Sequence, residues 1–211
     1  MNSDTPKQFL PLCGKPILLR TIEAFYQYSP SLKIIIGLPE QYIEGWKELC
    51  RIHQHDINEK IIAGGESRFQ TVKACLDEIP GTEGCVAIHD GVRPLVPKDV
   101  IANSFSEAKK GNSAIAHVPL KQSLRIMSSE GHSRAVDRSK YSLVQTPQTF
   151  PVIDIKRAYQ QPEIHTMTDD ATVAEQAGIQ ITLIPGSDRN IKITTPADLA
   201  IAEALFNKIT D

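Results

Sequence analysis

The chain has 211 residues, 41% of them hydrophobic and 23% charged, with 23 lysines and arginines against 25 aspartates and glutamates. This near-neutral balance, with no basic tract, excludes a protein held to nucleic acid mainly through phosphates. Its longest apolar runs, such as Ile34-Ile35-Ile36, fall far short of the ~18 residues of a membrane span. At roughly 150 residues per domain, one domain over 1–211 is expected. The four cysteines, Cys13, Cys50, Cys75 and Cys85, form no C-x-x-C pair, and the N-terminus lacks the apolar core of a signal peptide. Reduced thiols in a cytoplasmic protein are the expectation.

Ile17, Leu18, Ile22, Phe25 and Tyr26 recur at helical spacing behind Pro16, which sits where a first turn tolerates a missing N–H. Residues 33–38 are a short apolar run closed by Pro39, the pattern of a strand covered on both faces. The alternation repeats as helix 41–53, strand 60–63, helix 67–79, strand 86–88 and helix 97–110. It predicts an α/β fold with a Rossmann-like, mainly parallel sheet and helices on both faces. Between 114 and 144 the pattern changes to short β-like runs at 115–118, 123–127 and 142–144, with Ser129-Glu130-Gly131 as a turn signal. This stretch reads as an antiparallel arm projecting from the body. Helices at 152–159 and 171–177, a strand at 180–184 and a helix at 196–206 complete the reading.

Several residues stand where chemistry is done. Gly64-Gly65 end a predicted strand and let backbone pass close to a ligand, with Arg68 and Thr71 on the first turns of the next helix; a plain strand-to-helix turn is the alternative. Asp90 follows strand 86–88 and so lies at a carboxyl end, the edge where parallel sheets bind ligands. It could hold Mg²⁺ directly or through water, or accept hydrogen bonds from sugar hydroxyls. Arg93 offers a planar fork suited to a phosphate monoester, or a structural partner for Asp90. Lys192, within an apolar predicted strand 191–193, needs an anionic partner or an exit to solvent. His89, beside Asp90, reads as structural. Thr168-Asp169-Asp170 reads as a helix N-terminus. His53 and His55, placed on helix 41–53, would point apart and share no metal.

The segments P-K-Q-F-L at 6–10 and G-K-P-I-L at 14–18 open a longer series. It continues through Gly64-Gly65-Glu66-Ser67-Arg68, His89-Asp90-Gly91-Val92-Arg93-Pro94, Val136-Asp137-Arg138, Thr146-Pro147-Gln148, Thr168-Asp169-Asp170 and Asn190-Ile191-Lys192-Ile193-Thr194. In this order they resemble the sugar-phosphate nucleotidyltransferases, most closely the 2-C-methyl-D-erythritol 4-phosphate cytidylyltransferase family, over essentially the whole chain. The resemblance implies transfer of CMP from CTP to that polyol phosphate with release of pyrophosphate, assisted by Mg²⁺ or another hard divalent cation. Transfer to ribitol 5-phosphate is the related alternative.

It implies Lys7 and Lys192 as catalytic cations, and Gly64, Gly65, Glu66, Thr71 and Asp90 on the nucleotide. It places Asp90, Gly91, Arg93, Ser123, Arg138 and Thr146 on the polyol phosphate, with Asp90 as the metal candidate. Ser123, Arg138 and Thr146 match positions that reach a neighbouring subunit's site, so a homodimer built through the 114–144 arm is expected. Ser123 departs from the threonine common in the family but keeps its hydroxyl. The family also carries a strand and a glycine-rich loop ahead of the position of Met1. Without them, a non-catalytic nucleotide-binding or dimerising protein is the alternative of another class.

Overall fold

The computed structural model describes residues 6–129 and 131–210. Glu130 of the expected turn, and residues 1–5, lie outside them. The elements are β1 (Pro11–Leu12), β2 (Lys15–Pro16), α1 (Ile17–Tyr28), β3 (Ile35–Leu38), α2 (Ile43–Ile52), β4 (Lys60–Ala63), α3 (Arg68–Asp77) and β5 (Cys85–Ile88). They continue with α4 (Lys98–Lys109), β6 (Ser113–Pro119), β7 (Leu124–Met127), β8 (Ser133–Val136), β9 (Ser142–Pro151), α5 (Val152–Ala158), α6 (Asp170–Gln176), β10 (Ile181–Pro185) and α7 (Pro196–Thr210). Nearly all the expected helices and strands are present, shifted by one to a few residues at their ends.

The central sheet has the order β10-β6-β9-β5. β10 runs parallel to β6, and β9 runs antiparallel to both β6 and β5, so three of the four strands share one direction. β3 and β4 form a separate parallel pair. Two helices span both units. α1 packs Leu18, Leu19 and Ile22 with Ile36 and Leu38 of β3, and its Phe25 joins Ala87 of β5 and Ala114 and Ala116 of β6. On the opposite face, α3 sets Phe69 and Leu76 against Val86, Ile88 and Phe150. The period-two alternation of β5 therefore feeds both layers, Ala87 toward α1 and its neighbours toward α3.

Glycine is required at Gly37 of β3, where an added Cβ would stand 2.5 Å from Thr71 Cγ2. Between β1 and β2, Cys13 and Gly14 both have positive φ, 46° and 83°, as a two-residue hairpin of the mirror-image type needs. At the other end of the chain, Thr195 and Asp198 form a capping box for α7. Asp198 Oδ2 accepts from the N–H of Thr195 at 2.8 Å, and the N–H of Asp198 donates back to Thr195 Oγ1 at 3.2 Å.

Four expectations are corrected. The arm is narrower than 114–144, because Ala114, Ile115 and Ala116 are fully buried and β6 and β9 are central strands; only the β7–β8 hairpin and its flanks, 120–141, stand apart. β8 had no sequence signal, since Ser133, Arg134 and Ala135 are all exposed and show no alternation. Residues 191–193 are not a strand: the N–H of Ile193 bonds the carbonyl of Val92 at 2.9 Å, and no ladder extends it. His55 lies beyond α2, past Gln54 at φ 53°, and its Nε2 stands 3.2 Å from the buried carboxylate of Glu59. Among the described residues no helix is long and apolar enough to cross a membrane.

Candidate active site

Asp90 leaves the carboxyl end of β5, and three parts of the chain converge on it. Its backbone N–H donates to Thr146 Oγ1 at 3.1 Å, from β9. Its Oδ2 accepts from Arg93 Nε at 3.0 Å and lies 3.2 Å from Lys192 Nζ. Burial alone would raise the Asp90 pKa, but the Lys192 and Arg93 charges more than offset it and hold the carboxyl below its ordinary range. Asp90 is thus an anion committed at one oxygen, with Oδ1 bearing no protein partner among the described residues.

Arg93 is less free than its fork suggests. Nε serves Asp90 and Nη1 donates to the carbonyl of Asn190 at 2.8 Å, so Nη2 and the second N–H of Nη1 are left for a ligand. Asn190, fully buried, donates from Nδ2 to the carbonyl of Thr146 at 2.7 Å. The loop carrying Lys192 is thereby tied to the strand carrying Thr146. Gln145 adds bonds to the carbonyl of Ser187 at 2.9 Å and from its N–H at 3.1 Å. Lys192 itself remains 44% exposed at its side chain, which leaves the ammonium accessible to a second anion.

His89, next to Asp90, packs edge-on against Phe25 with centroids 4.9 Å apart and donates from Nε2 to the carbonyl of Arg93 at 3.1 Å. Burial pushes its pKa down to about 4, so the ring is neutral and structural, as expected. Gly91 accepts from Thr21 Oγ1 at 3.0 Å and allows Leu18 close approach, since a Cβ there would stand 2.9 Å from Leu18 Cδ1.

The second cluster is the 64–67 turn between β4 and α3. The N–H of Gly65 donates to Thr71 Oγ1 at 3.1 Å, and that of Glu66 to Gln70 Oε1 at 3.0 Å. Ser67 caps α3, its Oγ accepting from the N–H of Gln70 at 3.1 Å. Both glycines are demanded by space: a Cβ on Gly64 would lie 2.8 Å from Thr71 Oγ1, and one on Gly65 2.4 Å from Gln70 Cβ. Thr71 therefore shapes the turn through its hydroxyl, while Glu66 stays exposed.

The remaining candidates lie apart. Lys7, in a single 3-10 turn over Lys7–Phe9, is exposed and joins no ion pair among the described residues. Ser123 is exposed ahead of β7, and exposed Arg138 donates to the carbonyl of Lys121, within the arm. Neither touches Asp90, Arg93 or Lys192. Thr146, expected to join Ser123 and Arg138 in a neighbour's site, instead places its hydroxyl on Asp90 of its own chain, because β9 pairs directly with β5.

No cluster of three His, Cys, Asp or Glu side chains suited to a metal exists among the described residues. Burial pushes the thiols of buried Cys50 and half-buried Cys75 up to about 11, away from the thiolate form.

A family model described as 2-C-methyl-D-erythritol 4-phosphate cytidylyltransferase (IspD) matches residues 1–208. The chain belongs to this family. It is 46% identical over 206 residues to a protein of that name from Bacteroides fragilis, covering 98% of this chain and 93% of the relative. It is 45% identical to another from Phocaeicola vulgatus with the same coverage. The solved Thermus thermophilus cytidylyltransferase superposes with a TM-score of 0.81 at 27% identity, over 96% of this chain and 94% of that one. The chain is accordingly an enzyme of the nucleotidyltransferase class, with the Rossmann-like fold of its family. Asn190 and Gln148 stand inside motifs already singled out, and Gln145 directly before one; without coordinates nothing distinguishes them from solvated amides.

Proposed function

We propose that the chain transfers CMP from CTP to 2-C-methyl-D-erythritol 4-phosphate, the acceptor that the names of its cytidylyltransferase relatives carry. The observation that carries this reading is the Asp90, Arg93, Lys192 and Thr146 cluster at a sheet edge, in a chain matched to the family over residues 1–208. A phosphate oxygen of the polyol attacks the α-phosphorus of CTP; the bond from that phosphorus to the bridging oxygen breaks, and pyrophosphate leaves with the electron pair. Lys192, pre-positioned on Asp90 and accessible, places an ammonium where charge builds on the phosphoryl oxygens. Lys7 supplies a second cation from an exposed turn. The 64–67 turn with Thr71 receives the cytosine and ribose.

Asp90 fits a divalent cation only in a limited way, with one unpartnered carboxylate oxygen beside two protein cations. That donor set suits Mg²⁺ carried in by the triphosphate and keeping several waters. When bound, Mg²⁺ neutralises triphosphate charge. The arm supports a homodimer. Ile126, Met127, Tyr141, Leu143 and Val144 are each 43–67% exposed on β7 and the start of β9, more apolar surface than an isolated hairpin needs. A second copy seated there would bring Ser123 and Arg138 to a polyol phosphate, where Arg138 offers a bidentate cation and Ser123 a hydroxyl. Soluble, cytoplasmic operation accords with four free cysteines.

The test is pyrophosphate release from CTP and Mg²⁺ with 2-C-methyl-D-erythritol 4-phosphate or ribitol 5-phosphate. Turnover with the former and little with the latter is expected. Preference for ribitol 5-phosphate, or no turnover with either, would overturn the reading.

A further inference from the structure

The first turn of α6 holds a carboxylate far from any sequence neighbour. Asp170 is fully buried, and Arg68 grips it with two parallel bonds, Nη1 to Oδ1 at 2.9 Å and Nη2 to Oδ2 at 2.5 Å. Tyr159 Oη, itself buried, donates to Oδ1 at 2.6 Å. Desolvating such a carboxylate costs several kcal/mol, and replacing a buried ion pair by apolar residues is often neutral or stabilising. Bulk stability is therefore a weak reason for the pair to exist. A planar fork on a carboxylate does something apolar packing cannot, because it sets orientation as well as proximity.

What it orients is specific. Arg68 is the first residue of α3, immediately after the 64–67 turn. The bonds of Ser67, Gln70 and Thr71 described above all close within 64–71, and the N–H of Gly64 bonds the Leu38 carbonyl at 2.7 Å, so the start of the turn is held to β3 while its far end needs an anchor beside the central sheet. Asp170 lies 102 residues away in sequence and provides that anchor. The neighbouring Asp169 links onward. It caps α6 through the N–H of Thr172 at 2.9 Å and accepts from Gln148 Nε2 at 2.8 Å, while Gln148 Oε1 accepts from the N–H of Ala171 at 2.7 Å. Gln148 is two residues past Thr146, whose hydroxyl holds the N–H of Asp90. One polar path therefore runs from the 64–67 turn through α6 to the Asp90 cluster. The Arg68 charge is also felt at Asp90 and Asp169, where it adds to the lowering of both carboxyls.

We propose that Arg68 and Asp170 are positioning residues: their fork fixes the 64–67 turn relative to Asp90 and thereby sets nucleotide affinity. This rests on reading the turn as the nucleotide contact. The experiment compares the wild-type chain with Arg68→Lys, Asp170→Asn and the apolar pair Arg68→Met with Asp170→Leu. It measures CTP affinity by calorimetry, both KM values and kcat, and amide hydrogen exchange at 64–67.

Arg68→Lys keeps the charge and loses the fork, and a small misplacement of a binding group is costly, so CTP should bind at least about tenfold more weakly. The KM for the polyol phosphate and kcat should stay within about threefold, the split expected when one substrate's binding alone is lost. Amides at 64–67 should exchange faster while those of β6 and β9 do not change. The apolar pair, combined with Tyr159→Phe so that no buried hydroxyl loses its acceptor, should melt no lower than wild type yet bind CTP as weakly as Arg68→Lys. Unchanged CTP affinity and exchange, or equal losses for both substrates, would overturn the proposal. A wild-type chain that binds no CTP overturns the nucleotide reading instead, and exchange at 64–67 in Arg68→Lys then decides the positioning alone. If Asp170→Asn fails to fold, Arg68→Lys and Tyr159→Phe decide by the same readouts.

Discussion

The Asp90 cluster and the 120–141 arm make opposite use of polar side chains. Around Asp90 every candidate is already bonded within its own chain: Thr146 to the Asp90 amide, Arg93 to Asp90 and Asn190, Lys192 to Asp90. On the arm, Ser123 and Arg138 are exposed and touch nothing in that cluster. The body therefore supplies a site whose geometry is set before any ligand arrives, which lowers the ordering cost of binding. On the proposed function, the arm supplies groups that act at another subunit's surface. Changes in the body should damage chemistry or folding inside one chain, and changes in the arm should damage one substrate's binding across chains.

The largest effect should come from Lys192→Ala. Removing a cation aimed at developing phosphoryl charge costs on the order of 10²–10³ in kcat. Its melting temperature should hold, since the ammonium is nearly half exposed; near wild-type turnover would take Lys192 out of the mechanism.

Folding of the body should also respond to acid through His89. The unfolded chain takes a proton on this ring near pH 6.5, whereas the folded chain resists until about pH 4, so the unfolded state binds protons first as pH falls. Stability should decline by roughly 2 kcal/mol between about pH 7 and pH 5, read from urea midpoints. His89→Gln should remove most of that slope, and a slope that persists unchanged would deny His89 its part in it. The arm carries no buried histidine, so its hydrogen exchange should not follow the same curve.

A smaller, more selective effect belongs to Arg138→Ala. Loss of one charge-assisted phosphate contact should raise the KM for the polyol phosphate about tenfold while leaving CTP binding alone. Parallel loss of both would move Arg138 out of the polyol-phosphate site. The smallest effect is expected from Ser67→Ala, where one lost cap costs about 1 kcal/mol of stability by denaturant titration.

Local pattern made most of this fold legible. Helical spacing, apolar runs closed by proline, and the place of Asp90 after an apolar strand are all written within a few residues. What was misread depends on partners distant in sequence. Asp170 reads as the second carboxylate of a helix start with threonine as its cap, whereas Asp169, not Thr168, caps it. Nothing local tells that Asp170 turns inward to Arg68. Likewise Ile191-Lys192-Ile193 alternates like a strand, but one backbone bond to Val92 holds it, enough to bury Ile193 and leave Lys192 exposed. Residues 142–144 read as part of the arm because short β-like runs follow each other there with no helix between; residues 145–150, buried against β5 and β6, make β9 a central strand.

The contrast between body and arm is tested most directly by mixing two damaged chains. Lys192→Ala lacks a body cation and Arg138→Ala lacks an arm cation, so a heterodimer carries one site with both intact if the arm serves its neighbour. With random pairing in a two-fold dimer and polyol phosphate held well below the wild-type KM, pyrophosphate release should recover to about a quarter of the wild-type rate. Confirmed heterodimers no more active than the two variants measured separately would contradict the account.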